Sequence, residues 1–273
     1  MRYADLHMHS RFSSDGKGDL FDMCEAAVER GMSAVAFTEH WDALPAVHAQ
    51  LPYEPDSVYY HRYEAMARKA VTDARERYHG RLQIVYAVEL GQPHVDPVAS
   101  RKLLETRDFD FVLGSVHIVD SGIDYYYVDY PHVDIDELFR DYYDKHLKLL
   151  TFDGIDSVGY LDYPVRKMQK VLEKPATMIA YRDCIAEVLR AMIARGVALE
   201  INTNGLRNWF GRISPEPWVV ELYRDLGGTY VTTGSDAHNT DYAAFGIREA
   251  ADFAASVGLR VACGYSRHTP IFP

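Results

Sequence analysis

Two histidines, His7 and His9, stand one residue apart in a short apolar segment of the chain. Side chains alternate across a β-strand, so both imidazoles point to the same face of the strand predicted here. Two imidazoles on one face of a strand end can hold a single divalent metal ion. Three more apolar segments also end in a histidine, at His40, His117 and His238. The repeated pattern predicts a metal-dependent enzyme.

Two carboxylates extend this set of ligands. Glu89 ends an otherwise apolar strand, where a carboxylate is costly unless it is paired or bound to a metal ion. Asp236 shares a short motif with His238, although capping of the following helix would also explain it. A hydrogen bond in the core explains any single histidine, but not the common position of five histidines and two acids. Imidazole combined with carboxylate favours Zn, Mn or Fe over Ca or Mg.

Segments rich in apolar and β-branched residues alternate with longer helical patterns along the chain. The predicted strands cover residues 3–9, 34–38, 83–89, 111–117, 157–160, 198–203, 230–234 and 260–264. The predicted helices cover residues 19–29, 57–78, 135–150, 178–195, 215–226 and 243–257. A glycine stands just past the end of four of these helices, a position that glycine often takes at helix C-termini. The four are Gly31, Gly196, Gly227 and Gly258. Alternating units predict a parallel sheet, and seven or eight of them favour closure into a barrel.

The candidate ligands all lie at the carboxyl ends of predicted strands, the face where parallel barrels carry their active sites. Residues 41–60 follow His40 directly and form the longest stretch without clear periodicity. Loops after barrel strands build active sites, so this segment is expected to shape or cover the pocket. An incidental surface insertion is the alternative.

Length and composition fit one domain over residues 1–273, because barrels of this size fold as one unit. The net charge of −11 disfavours nucleic acid, whose binding depends on Lys and Arg neutralising phosphates. The three cysteines are scattered, as expected of reduced residues rather than of a disulfide or zinc framework. Neither a membrane-spanning run nor a signal segment is evident. We therefore expect a cytoplasmic protein, in an oligomeric state that the sequence leaves open. A locally positive pocket filled by metal ions can still bind a small anionic substrate.

Several motifs resemble those of the polymerase-and-histidinol-phosphatase (PHP) family, in the family's order and over nearly the whole chain. They are Asp-Leu-His-Met-His-Ser at 5–10, Ser-Asp-Gly at 14–16, Phe-Thr-Glu-His at 37–40, Val-Glu-Leu-Gly at 88–91, Gly-Ser-Val-His at 114–117, Glu-Ile-Asn-Thr-Asn-Gly-Leu-Arg at 200–207 and Gly-Ser-Asp-Ala-His at 234–238. Within the family they are most similar to those of histidinol-phosphate phosphatases. The resemblance implies an α/β fold, a distorted (β/α)7 TIM-like barrel of PHP type.

The resemblance also implies how two to three divalent ions, Zn, Mn or Fe, share the ligands. The implied sets are His7, His9, Glu89 and Asp236 for a first ion, Glu89 as a bridge with His117 for a second, and Asp15, His40 and His238 for a third. Asp15 stands before Gly16 and would also suit an ordinary turn. Asp236 and His238 are the predicted catalytic residues.

One position departs from the family pattern. The second ion normally has another histidine in a Gly-His-x-Asp segment after strand five, whereas residues 159–162 read Gly-Tyr-Leu-Asp. Tyr160 therefore stands where the histidine is expected. A neutral phenol is a poor ligand, so the second site would be weaker, use another ligand or hold a tyrosinate.

Two arginines, Arg166 and Arg207, follow strands five and six, where the phosphatase branch also has arginines. Guanidinium forks suit phosphate oxygens, so both are predicted to bind the phosphate of the substrate. Glu200 and Asn202 alternate on strand six and are expected to contact the substrate or to orient a metal ligand. The resemblance implies hydrolysis of L-histidinol phosphate to L-histidinol and phosphate, with metal-activated water attacking phosphorus.

Two other functions stay open. The family covers several substrates, so another small phosphate ester or a nucleotide is an alternative substrate. The barrel could instead be a degenerate metal-binding accessory module, as in some polymerases. Nearly every ligand position is occupied and the chain is too short for a polymerase, which favours the enzyme.

Overall fold

A parallel sheet of eight strands in chain order forms the centre of the fold in the computed structural model. The structure describes residues 2–44, 54–172, 177–207 and 211–273. The strands are β1 Tyr3–Met8, β2 Met32–Asp42, β3 Gln83–Gly91, β4 Phe111–Ser115, β5 Ser157–Val158, β6 Ala198–Asn202, β7 Tyr230–Gly234 and β8 Arg260–Val261. The α-helices are α1 Leu20–Glu29, α2 Asp56–Arg77, α3 Pro97–Thr106, α4 Ile135–Leu149, α5 Tyr163–Leu172, α6 Arg182–Arg195, α7 Pro217–Asp225 and α8 Ile247–Ser256. An antiparallel hairpin follows, with β9 Gly264–Ser266 and β10 Thr269–Ile271.

Hydrogen bonds between β1 and the end of β7 close the sheet into a barrel of seven strands. The backbone N of Asp236 donates to the O of His7 over 2.7 Å, and the N of His9 donates to the O of Ala237 over 2.8 Å. Closer to the amino ends of β1 and β7, the Thr233 hydroxyl donates to the Ala4 carbonyl over 2.8 Å. β8 pairs with the start of β7 as an additional strand. The distorted (β/α)7 TIM-like barrel expected from the sequence is confirmed.

The barrel interior is apolar toward the amino ends of its strands and polar toward their carboxyl ends. The apolar part comprises Ala4, Leu6, Ala34, Ala36, Val85, Ala87, Phe111, Leu113, Ala262 and Tyr265. Tyr265 of β9 is fully buried, with its ring centre 4.7 Å from that of Phe111, so the hairpin covers this end. A larger apolar cluster joins the outer face of the sheet to the helices. Polar interior groups are therefore concentrated at the other end of the barrel.

Because of a register irregularity in β1, two successive residues of this strand point into the barrel, one into its apolar part and one into its polar part. Asp5 pairs with Val35 of β2 and Met8 pairs with Phe37, so three residues of advance along β1 match only two along β2. A bulge of this kind sets two successive residues against one residue of the partner strand. Leu6 therefore packs in the interior apolar cluster while His7, the next residue, also faces inward.

Two helices occupy segments for which the sequence predicted none. α3 begins after Asp96, whose carboxylate accepts a bond from the N of Ala99 over 3.0 Å, and has a proline in its first turn. α5 follows the short strand β5 and carries Arg166. Each of these helices has ten residues, too few for hydrophobic periodicity in the sequence to distinguish the helix from a loop.

Several predicted boundaries shift by a few residues. β2 continues past His40 to Asp42 and α2 begins at Asp56, whereas residues 45–53 of the predicted loop lie outside the described residues. The predicted strand 260–264 is divided between β8 and the start of β9. The four glycines predicted to end helices have φ between +71° and +105°, a region that glycine adopts without steric cost. No helix in the described ranges is long and apolar enough to cross a membrane.

Candidate metal centre

Imidazole and carboxylate groups from several strands meet at the carboxyl end of the barrel. The Nε2 atoms of His7 and His9 lie 3.0 Å apart. The Oε2 of Glu89 lies 3.2 Å from the first and 3.3 Å from the second. All three side chains are fully buried. The two imidazoles face the same point, as alternation along β1 predicted.

Glu89 also contacts a second pair of histidines. Its Oε1 lies 2.9 Å from the Nε2 of His117, and its Oε2 lies 3.1 Å from the Nδ1 of His40. One carboxylate thus contacts both the His7–His9 pair and the His40–His117 pair. This arrangement suits a carboxylate that bridges two neighbouring cations.

Asp15, Asp236 and His238 complete the cluster on its outer side. The Nε2 of His238 lies 3.0 Å from one Asp15 oxygen, and the Nε2 of His40 lies 3.6 Å from the other. The Oδ1 of Asp236 lies 3.6 Å from the nearest nitrogens of both His9 and His238. Ligand atoms within 4.8 Å of one another form three groups, namely His7–His9–Glu89, His40–Glu89–His117 and His9–His40–His238. His40, predicted for the third ion alone, therefore also faces the second position.

Three of these ligand atoms lack an ordinary hydrogen-bond partner. The Nδ1 of His40, the Oε1 of Glu89 and the Oδ1 of Asp236 are buried and make no well-oriented hydrogen bond to any described residue. The close approaches of 2.9 to 3.6 Å between these atoms and their neighbours do not have hydrogen-bond geometry. Buried carboxylates without donors are costly, and divalent cations would use their lone pairs. The residues present therefore fit divalent metal ions.

Burial lowers the pKa of these imidazoles, whereas neighbouring carboxylates raise it in most of them. Burial disfavours the imidazolium of His7, but Glu200 and Glu89 outweigh burial and hold the pKa of His7 well above its usual value. Burial also opposes the charged form of His40, yet Glu89 and a second carboxylate raise its pKa to about 10. In His9, burial and two neighbouring imidazoles lower the pKa to about 3. The imidazoles next to carboxylates hold protons that an incoming cation displaces.

We expect the metal affinity of this centre to rise with pH up to about 10. Imidazole binds metal only when neutral, and the pKa values of His7, His40 and His117 are raised, with that of His40 at about 10. Protons must leave these rings as the ion enters, so acid competes with the metal. Calorimetric titration of metal-free protein with Zn²⁺, in buffers of different ionisation enthalpy, counts the released protons. Binding at pH 7 without proton release would contradict this expectation.

Carboxylates behind two ligand histidines fix the orientation of their rings. The Nδ1 of His7 donates to Glu200 over 2.6 Å, and the Nδ1 of His117 donates to Asp42 over 3.1 Å. The Nε2 of each ring is then free to face the centre of the cluster. The sequence indicated Glu200 as a residue that orients a ligand or contacts substrate, but it did not indicate Asp42.

A relay through a serine orients His9. The Nδ1 of His9 lies 3.2 Å from the hydroxyl of Ser13, which donates to Glu39 over 2.5 Å. Glu39 also accepts from the hydroxyl of Ser10 over 2.6 Å. Burial raises the pKa of Glu39 to about 7, although these bonds favour its charged form. Sequence reasoning missed Ser13 and Glu39, and the position of Glu39 directly before His40 was the available signal.

The backbone is strained at two non-glycine residues of the site. Tyr160 has φ +61° and Asp236 has φ +54°, values that non-glycine residues rarely adopt. Gly234, two residues before Asp236, allows a close approach, because a Cβ there would lie 2.3 Å from the Cβ of His7. The strained turn and the glycine together position the Asp236 carboxylate against the histidines.

A cavity of about 480 Å³ opens onto the cluster, and Arg166 lines it from α5. Arg166 is 8% exposed, with its NH1 3.8 Å from the Oδ2 of Asp236. Its NH2 donates to the Oδ1 of Asn202 over 3.3 Å. A guanidinium beside the cluster of ligands suits an anionic group in the cavity.

Arg207 lies against the backbone instead. Its NH1 and NH2 donate to the carbonyl oxygens of Ser235 and Asp236 over 2.5 and 2.7 Å. Its guanidinium also covers the ring of Tyr242, 4.6 Å from the ring centre. In this position Arg207 stabilises the segment that carries Asp236.

Tyr160 lies between the two histidine pairs. Its hydroxyl is 3.4 Å from the Nε2 of His7, and its ring centre is 5.3 Å from that of His117. Burial and the nearby carboxylates hold its pKa well above the usual value, so the phenol is neutral as long as no cation is bound beside it. Tyr160 therefore faces the His7 group as well as the second position for which the sequence considered it.

Comparisons with known proteins agree with this geometry. The family model described as PHP domain matches residues 5–204. A protein of Thermotoga maritima named "Probable histidinol-phosphatase" is 29% identical over 245 residues, which cover 90% of this chain and 88% of that protein. The histidinol-phosphatase of Lactococcus lactis subsp. lactis is 26% identical, over 87% of this chain and 85% of that protein.

A solved structure has the same fold. It is the crystal structure of histidinol phosphate phosphatase from Lactococcus lactis, complexed with zinc, L-histidinol and phosphate. It superposes with a TM-score of 0.81 at 22% identity and covers 99% of each chain. The family match covers most of the chain, including the ligands on β1 to β4. The chain belongs to the PHP domain family.

Proposed function

We propose that this protein is a metal-dependent phosphomonoesterase that hydrolyses L-histidinol phosphate to L-histidinol and phosphate. The observation that carries the proposal is the buried cluster of histidines and carboxylates next to Arg166 at the carboxyl end of the barrel. The names of the relatives from Thermotoga maritima and Lactococcus lactis support the substrate. One domain over residues 1–273 would carry the activity.

Two to three divalent ions, Zn, Mn or Fe, would occupy the cluster. The proposed ligands are His7, His9, Glu89 and Asp236 for the first ion, Glu89 and His117 for the second, and Asp15, His40 and His238 for the third. The distances around Glu89 support its role as a bridge, and His40 is near enough to serve the second ion as well. Bound divalent ions supply positive charge to phosphoryl oxygens and lower the pKa of water.

The protein groups around the cavity would bind and orient the ester. Arg166 would donate two N–H groups to the phosphoryl oxygens, with Arg207 as a second phosphate ligand that also holds the Asp236 segment. Asp236 and His238 would act as catalytic residues, because both border the cavity and the ligand cluster. The oxygen of water forms the new bond to phosphorus while the water loses a proton, the ester P–O bond breaks, and the departing alkoxide takes up one proton, so that no net proton is consumed.

A phosphate-release assay over a panel of metabolites tests this function. With protein purified without chelator, L-histidinol phosphate is expected to have the highest kcat/KM of the panel. A higher kcat/KM for another phosphate ester, or for a nucleotide, would retain the hydrolase and replace the substrate. Full metal content with no phosphate release from any compound would support the accessory module instead. Elemental analysis of the same sample identifies the metals.

We expect Tyr160→Phe to lower the metal content and Tyr160→His to restore or increase it. The phenol is 3.4 Å from the Nε2 of His7, and the histidine variant supplies the imidazole usual for the family. Glu89 and His117 remain in place, and a bridging carboxylate with nothing to bridge would leave a buried charge unpaired. Metal stoichiometry is measured after equal dialysis against metal-free buffer.

Tyr163→Phe is the matched control for this experiment. Its ring also lines the cavity, with its centre 5.7 Å from that of His117, but its hydroxyl donates to Asp124 over 3.0 Å. We expect this variant to keep the wild-type metal content. An identical count of two ions in wild type, Tyr160→Phe and Tyr160→His would show that the second site has been abandoned.

A further inference from the structure

A second cavity, of about 780 Å³, opens at the amino end of the barrel, opposite the metal centre. Its walls come from the starts of β2 and β3, the turn after α2 and the turn of the β9–β10 hairpin. Four arginines line it, Arg2, Arg75, Arg81 and Arg267, and Asp110 is the one carboxylate among the described lining residues. This positive surplus lies in a chain whose net charge is −11. The volume is typical of sites for small molecules.

Asp110 offsets the charge of one of these four arginines. Its carboxylate is engaged by Arg75, whose Nε also donates to a backbone carbonyl over 2.9 Å. Arg81 approaches an exposed glutamate at 3.7 Å, a contact that solvent screens. Within the described part of the chain, the side chains of Arg2 and Arg267 have no acidic partner. At least two guanidinium groups of the cavity are therefore available to a ligand.

The hairpin turn places the Arg267 side chain at the cavity. Arg267 and His268 form the two-residue turn between β9 and β10, with φ +46° and +60°. Such a turn favours Asn and Gly, so two other residues there are held against their conformational preference. The His268 ring has a local role, since its Nδ1 contacts Asp156 at 2.9 Å. The Arg267 side chain makes no such contact and lines the cavity. Backbone hydrogen bonds hold this turn in place, since the N of Arg267 donates to the Oδ1 of Asp110 over 3.0 Å and the N of His268 donates to the Asp110 carbonyl over 2.9 Å.

We propose that this cavity binds a small anion that carries two or more phosphate charges, at a site separate from the metal centre. The guanidinium groups of Arg2, near the start of β1, and of Arg267, in the hairpin turn, both line this cavity. Each can donate a fork of N–H groups to phosphate oxygens. The described lining has no Phe, Tyr or Trp on which a nucleobase could stack. The phosphate groups are therefore the part of the ligand that is recognised.

Protection from arginine modification tests the site directly. The metal-loaded protein is labelled with phenylglyoxal, with and without pyrophosphate, and peptide mass spectrometry reads each arginine. Pyrophosphate is expected to slow the labelling of Arg2 and Arg267 at least about fivefold, whereas Arg190, exposed on α6, stays equally reactive. Metal content is measured before and after labelling, so that loss of ions is detected. Equal labelling of Arg2 and Arg267 with and without pyrophosphate would overturn the proposal.

Arg267→Gly gives the second arm of the test. Glycine suits φ +46°, so this variant keeps the turn and is expected to have a Tm no lower than wild type. Calorimetry should show that pyrophosphate binding to the cavity is weakened roughly tenfold, as for loss of a charge-assisted contact. Arg190→Ala is the control for removal of one positive charge. Unchanged binding in a folded Arg267→Gly protein would reject the site, whatever the activity of the metal centre.

Discussion

Asp236→Asn is expected to lower kcat for the phosphate ester by on the order of 10³-fold or more, with the fold retained. The Oδ1 of Asp236 lies 3.6 Å from His9 and His238 and 3.8 Å from His7, so the carboxylate is shared between neighbouring ligand groups. An amide oxygen keeps the shape but removes the negative charge that holds a cation. The measurement is kcat with metal supplied in excess, together with Tm.

Asp241→Asn is the matched control for Asp236→Asn. Asp241 is exposed a few residues further along the chain, and the same change there should leave kcat and Tm unaltered. Near wild-type turnover of Asp236→Asn, with metal supplied, would show that hydrolysis does not depend on this centre.

Replacing Arg166 with Ala is expected to lower kcat/KM, and the decrease should correspond to a loss of about 2–4 kcal/mol of transition-state stabilisation. Arg166 lines the cavity in a buried position, and its NH1 lies 3.8 Å from the Oδ2 of Asp236. Arg166→Lys should recover only part of the loss, because a point charge does not reproduce the two-pronged donor. Steady-state kinetics of both variants give the change.

Arg207→Ala should produce a loss of similar size, because its removal also frees the carbonyls of Ser235 and Asp236. Lys167→Ala is the control, since Lys167 follows Arg166 in α5 and is not among the described residues that line the cavity. Normal kinetics for both alanine variants of Arg166 and Arg207 would remove them from the phosphate site.

Most of the candidate ligands stand out in the sequence because their signals are local. His7 and His9 are two residues apart, and His40, Glu89, His117, Asp236 and His238 each end or follow an apolar segment typical of a strand. Asp15 stands in a turn and was indicated only by the family resemblance. The alternation of strands and helices then places these strand ends on one rim. The helix α5 has no such signal, so the position of Arg166 on a helix beside the cavity appeared only in the folded chain.

The sequence by itself determined the α/β barrel, the rim on which the candidate ligands lie and their chemical types, because periodicity and residue type are local properties of the chain. Only the tertiary structure decided which groups orient those ligands. Glu200 is 193 residues from His7, and Asp42 is 75 residues from His117. The tertiary structure also decided that Arg166 lines the cavity while Arg207 donates to the backbone. Such pairings depend on barrel closure and side-chain packing, which act between residues that no local pattern connects.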